Sequence, residues 1–105
     1  MSKVIEVTDD TFQQVVFGSP VPVLVDFFAD YCGPCRALKG VLAALAESMG
    51  DTVQIVAVDV VANEGLAHAY KIATVPTLIV FKNGVELHRM VGLKDLHYLQ
   101  EALDV

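Results

Sequence analysis

Apolar residues along this chain fall into short dense runs and longer amphipathic stretches, and the two kinds alternate. Lys3 to Val7 is a short alternating strand candidate, and Thr8 is placed to cap a first helix running through Val16. The Gly18-Ser19-Pro20 turn ends that helix. Val21 to Phe28 is nearly all apolar, interrupted only by Pro22 near its start and by Asp26. A run of that density suits a strand covered on both faces, as in parallel α/β sheets. Ala37, Leu38, Val41, Leu42, Leu45, Ala46 and Met49 recur at helical spacing and predict a helix over Arg36 to Met49, closed by Gly50-Asp51. Val53 to Val60 reads as another strand, followed by a short helix from about Asn63 to Tyr70. Thr77 to Phe81 and Val85 to Val91 flank Lys82-Asn83-Gly84, and Asn-Gly between two apolar runs signals a hairpin. Asp95 can cap a last helix bearing Leu96, Leu99 and Leu103. The predicted order is β-α-β-α-β-α-β-β-α. Alternation followed by a hairpin implies an α/β fold with a mixed five-stranded sheet and helices on both faces.

Composition narrows the functional classes. A chain of 105 residues makes one domain, spanning residues 1–105, with no internal repeat, linker or low-complexity segment. Hydrophobic residues make up 54% and charged residues 19%, which supports a packed core and excludes disorder. The net charge of -6, with no basic run, excludes phosphate neutralisation and hence a nucleic-acid partner, and it suits a monomer. No stretch reaches the ~18 apolar residues that span a bilayer, so no membrane role is expected. The first residues, Met1 to Glu6, lack the apolar core of a signal peptide, which points to a reducing cytoplasm.

In that compartment the two cysteines become the informative residues. Tyr31-Cys32-Gly33-Pro34-Cys35 contains both cysteines of the chain, three positions apart, between a predicted strand and a predicted helix. A ring that small restrains little of the unfolded chain, so it adds little stability. A lasting structural disulfide is also unusual in a reducing compartment. Redox chemistry explains the pair better, and CxxC at a strand–helix junction is the thioredoxin-like pattern. Cys32 at the helix start would have its thiolate stabilised by free backbone N–H groups and the helix dipole. Cys32 then attacks a partner's disulfide, and Cys35, one turn further in and more covered, attacks Cys32 to release the reduced partner. Pro34 near the first helical turn costs no hydrogen bond. Half of a zinc site is the competing reading, but there is no second pair, and His68, His88 and His97 are scattered without ligand spacing. No metal and no bound cofactor is expected, since the electrons reside on the two sulfurs. Two inert buried cysteines are the other alternative. Asp26 is the second notable residue: an acid inside an apolar strand is either turned to solvent or buried for a purpose.

The segment Phe27-Phe28-Ala29-Asp30-Tyr31-Cys32-Gly33-Pro34-Cys35-Arg36, with Val75-Pro76-Thr77, Phe81-Lys82-Asn83-Gly84 and Val91-Gly92, resembles the thioredoxin family, and the likeness covers essentially the whole chain. The resemblance implies a disulfide reductase that cycles Cys32 and Cys35 between dithiol and disulfide. Its implied partners are a thioredoxin reductase as electron donor and disulfide-containing client proteins. It also implies a cis peptide at Val75-Pro76, beside which an extended client segment pairs. Tyr31, Gly33, Pro34, Val75, Pro76 and Gly92 would form a mostly apolar contact surface around Cys32, although core packing remains open for Tyr31 and Val75 taken singly. Asp26 would lie beneath the cysteines as proton acceptor for Cys35. Four positions depart from the family pattern: Tyr31 and Phe28 stand where tryptophans are common, Ala57 where a lysine often accompanies the buried acid, and Gly40 where a proline kinks the helix. With alanine at 57, no cation is expected near Asp26, so desolvation alone should raise its pKa. Two rivals remain. An oxidant or isomerase is disfavoured by Gly33-Pro34 and by the cytoplasmic reading. A thioredoxin-fold binding subunit with incidental redox activity would keep its function in a Cys32→Ser variant.

Overall fold

The computed structural model describes residues 3–105; Met1 and Ser2, on which the reading of the N-terminus partly rests, lie outside them. Five strands, β1 (Val4–Glu6), β2 (Val23–Phe28), β3 (Gln54–Asp59), β4 (Thr77–Lys82) and β5 (Val85–Val91), form one sheet in the order β1-β3-β2-β4-β5. β3 runs parallel to β1 and β2, whereas β4 runs antiparallel to β2 and β5. The helices are α1 (Gly33–Met49), α2 (Glu64–Ala69) and α3 (Leu96–Ala102), and a π-helical turn at Gln13–Phe17 precedes β2. The mixed sheet and the element order match the pattern read from the sequence.

The density of the β2 run is explained by its central place. All six of its residues are buried, with strands on both sides and side chains covered on both faces. Alternation along the strand divides the core. Leu24 packs with Leu38, Leu42 and Leu45 of α1 and Leu99 of α3. Val23, Val25 and Phe27 pack on the opposite face with Phe12, Val16 and Phe81. Asp26 and Phe28 fall on the α1 side with Leu24, so the acid is carried beneath the helix that begins with the cysteines.

The first predicted helix differs from expectation at both of its ends. Thr8 does not cap a helix through its side chain: its N–H donates to Thr11 Oγ1 at 2.9 Å, while its carbonyl accepts from Thr11 and Phe12. The regular winding then begins at Gln13 and includes Phe17. Long-range bonds set this start. The Asp9 N–H donates to Asn63 Oδ1 at 3.0 Å, and Asp9 Oδ1 accepts the Leu66 N–H at 2.9 Å. Asp9 therefore caps the first turn of α2 from 57 residues away, in place of a local side chain. Asp9→Ala is expected to cost about 1 kcal/mol, the usual worth of a side-chain cap, read as a lower urea midpoint with unchanged slope.

The hairpin forms as expected. Asn83 and Gly84 both take positive φ, 53° and 76°, as a two-residue turn between twisted strands requires. Asp95 Oδ1 accepts the Tyr98 N–H at 2.8 Å and caps α3. Gly40 lies within an unbroken α1, and a Cβ there would meet nothing within 4 Å. Gly40→Ala should therefore stabilise the protein by about 0.5–1 kcal/mol through lost backbone freedom in the unfolded chain, seen as a raised denaturation midpoint.

Candidate active site

α1 starts earlier than its apolar periodicity suggests, and this places both cysteines in its first turn. Cys32 is the N-cap residue, in extended conformation (φ -99°, ψ 115°), and Pro34 occupies the first turn, where its missing N–H costs nothing. Cys32 and Cys35 are joined as a disulfide, with Cα atoms 5.2 Å apart. The Cys35 N–H points at Cys32 Sγ across 3.1 Å. A sulfur at the N-cap thus takes the part usually played by a serine or aspartate oxygen, and a negative charge on it would strengthen that bond.

The two sulfurs are not equivalent. Cys32 is 8% exposed and Cys35 1%. Around Cys32 the chain is open: Tyr31 is 73% exposed, and Gly33 and Pro34 are also at the surface. This exposure settles the open reading of Tyr31, which is not a core residue. Arg36 Nη1 donates to the Asp30 carbonyl at 2.8 Å and ties the loop before the cysteines to α1.

The loop before β4 meets this surface from the other side. The Val75-Pro76 peptide is cis, and the Val75 carbonyl oxygen lies 3.6 Å from Cys32 Sγ. In the disulfide Cys32 has no proton to give; as a thiol it could donate to that oxygen. Pro76 itself is buried, and its carbonyl accepts the Gly92 N–H at 2.9 Å, so the half-buried Val75 presents the loop's accessible side chain. Thr77 Oγ1 donates to the Thr74 carbonyl at 2.6 Å and closes the same loop. Gly92 holds φ +93°, a backbone angle that favours glycine, between the exposed Val91 and Leu93.

Asp26 is 2% exposed, so the solvent-facing alternative does not apply. Its register partners are Ala57 on β3 and Leu78 on β4. Ala57 also packs in one cluster with Cys35 and Phe28, which links the acid's surroundings to the buried sulfur. Asp26 Oδ1 has no hydrogen-bond partner. It lines a cavity of about 410 Å³ whose apolar walls include Phe28, Leu42, Ala46 and Ala57. Burial pushes its pKa from 3.8 up to about 7, and the Lys39 ammonium pulls in the other direction. The upward direction agrees with expectation. The expected lack of a cation does not hold, because α1 supplies Lys39. Helical spacing carried the signal: Lys39 follows Cys35 by four residues, and Leu42 and Ala46 continue the same face.

The arrangement is a paired thiol–disulfide centre at a helix N-terminus, with an exposed collar and a buried acid behind it. The Thioredoxin family model matches residues 3–105. The chain is 45% identical to the thioredoxin of Mycolicibacterium smegmatis, over 97% of this chain and 96% of that one. It is 41% identical to thioredoxin 1 of Synechococcus elongatus, over 99% and 97%. It is 40% identical to the thioredoxin of Mycobacterium tuberculosis, over 99% and 90%. Cysteine geometry, fold and these likenesses agree, and the chain belongs to the thioredoxin family of thiol–disulfide oxidoreductases.

Proposed function

We propose that this protein reduces disulfides in client proteins with Cys32 as nucleophile, Cys35 as resolving thiol and Asp26 as the proton acceptor for Cys35. The observation that carries the reading is the first turn of α1, where the Cys35 N–H addresses a Cys32 sulfur set in a collar of the exposed Tyr31, Gly33 and Pro34. The Cys32 thiolate attacks one sulfur of the client's disulfide, forming a mixed disulfide and expelling the client's other sulfur as thiolate. Cys35 then gives its proton to the Asp26 carboxylate, and its sulfur attacks Cys32 Sγ. The mixed disulfide breaks, the client leaves as a dithiol, and the Cys32–Cys35 disulfide holds the oxidising equivalents. Two electrons pass from protein to client in each cycle.

Tyr31, Gly33, Pro34, Val75 and Gly92 form the contact surface for the client, with buried Pro76 fixing the path of its loop. Around a reactive sulfur such a surface suits an extended peptide held partly by backbone pairing, a mode that tolerates varied side chains. A thioredoxin reductase regenerates the dithiol, and the protein works as a monomer in the cytoplasm. Among the described residues no helix is long and apolar enough to cross a membrane. The test is reduction of insulin disulfides by the protein with a thioredoxin reductase and NADPH. Activity should require Cys32, and full retention in Cys32→Ser would replace the reductase with a binding subunit.

A further inference from the structure

The loop that brings Val75 to the cysteines is held at both ends by the β5 segment. At its far end, the Gly92 N–H just after β5 donates to the Pro76 carbonyl at 2.9 Å. At its near end, Arg89 of β5 reaches the end of α2, where Nη1 donates to the Tyr70 carbonyl at 2.6 Å. Between the two held residues lie Lys71 to Val75.

Register explains the reach of the arginine. Arg89 stands opposite Ile79 of β4, and Ile79 packs in one cluster with Phe27, Phe81, Tyr70 and Ile72. Cross-strand partners share a face of the sheet, so the Arg89 stem lies on the side where α2 ends. The guanidinium is itself fixed, because Nε and Nη2 donate to the two carboxylate oxygens of Glu86, each at 3.0 Å. That fork leaves Nη1 for the carbonyl. Tyr70 is the C-cap residue of α2, where carbonyls lack partners within the helix. Immediately beyond it Lys71 takes φ 54°, a left-handed angle uncommon for a residue other than glycine. Such an angle persists where neighbouring contacts over-determine it. Here they are the held Tyr70 carbonyl and the Ile72 N–H, which donates to the Ala67 carbonyl at 2.9 Å.

Resting on the reading of Val75 as part of the client surface, we propose that Arg89 is a positioning residue for client binding. Through Tyr70 it fixes where the loop begins, and so how Val75 is presented beside Cys32. It works through the loop and takes no part in the exchange of sulfurs. Its effect is therefore selective. A client that lies along the loop meets a loosened Val75 when Arg89 is lost, whereas a small disulfide that needs only Cys32 does not.

The test compares the oxidation of the reduced protein by insulin and by Ellman's reagent, each followed as a second-order rate by alkylation quench and intact mass. Arg89→Gln should slow the insulin reaction about three- to five-fold, the size expected for one exposed charged pair, and leave the Ellman rate unchanged. In the same variant the Lys71 and Ile72 amides should exchange hydrogen faster, while those of β4 stay protected. Val75→Ala should also slow insulin alone. Lys82→Gln, which removes a cation from the other end of β4, should change neither rate. Arg89 is exposed on an edge strand, so its variant should fold, which thermal unfolding verifies. An unslowed insulin reaction in Arg89→Gln, with Val75→Ala slowed, overturns the proposal. So does equal slowing of both substrates, which would place the disturbance at the cysteines, or an equal effect in Lys82→Gln, which would reduce it to net charge. Val75→Ala at the parent rate instead removes Val75 from the client surface, and the role of Arg89 falls with it.

Discussion

Cys35→Ser is expected to leave the protein covalently joined to its client after one encounter, with catalytic disulfide reduction reduced to background. The variant keeps the Cys32 nucleophile and its N-cap position, so the first exchange proceeds. A serine hydroxyl cannot displace a sulfur from the mixed disulfide, so the second exchange does not. Incubation with a disulfide-bearing protein should give an adduct of the combined mass on intact mass spectrometry, released by dithiothreitol. Cys32→Ser should give neither adduct nor turnover. Exposure of the sulfur atoms is a weak discriminator here, since both cysteines are largely covered. The stronger argument is directional. The helix start and the Cys35 N–H favour charge on Cys32, and the open residues Tyr31, Gly33 and Pro34 surround that sulfur. An adduct formed through Cys35 in the Cys32→Ser protein would reverse the assignment.

Much of this architecture was legible because its signals are local. The dense β2 run reports a central strand, the Leu38–Leu42–Leu45 stripe reports α1, and Asn83-Gly84 reports the hairpin. Asp95 was legible as a cap because its partner lies three residues on. Thr8 misled for the converse reason: the start of its segment is set by Asn63 and Leu66, which proximity in sequence cannot reveal. The cysteine pair announced its chemistry through spacing and setting. The cis bond at Pro76 came only from resemblance, since few X–Pro bonds are cis and the flanking residues do not single this one out. For the acid, sequence gave a burial argument and a facing residue, Ala57, both of which the sheet register supports. The cation is not legible in the strand pairing, because Lys39 approaches the acid's cavity from the helix above.

That burial has a thermodynamic consequence large enough to isolate, since Asp26→Ala should stabilise the protein increasingly as pH rises. The unfolded chain ionises Asp26 near 3.8, whereas the native protein holds the proton up to about 7. Well below 3.8 both states are protonated, and the residue adds no pH dependence. Between the two values the native state binds a proton that the unfolded state has lost, so rising pH favours unfolding. Above about 7 both states are ionised and the whole penalty is present. A gap of about three pH units corresponds to about 4 kcal/mol at 1.36 kcal/mol per unit, with Lys39 already acting against it. Removing the side chain also changes packing and eliminates an unpartnered oxygen, Oδ1, but those effects add a constant at every pH. The informative quantity is therefore the difference in unfolding free energy between variant and parent, measured by denaturant at several values from about pH 4 to about pH 9. The difference should grow in the variant's favour through the middle of that range and level off above about pH 7. Titrations of the other carboxylates cancel in the subtraction. Turnover should fall in the same variant, while the first exchange by Cys32 persists. A difference that stays flat with pH would mean that native Asp26 ionises like an exposed aspartate, and a difference that shrinks with pH would mean that the fold stabilises its charged form. Either result removes the buried acid on which the proton-transfer step depends.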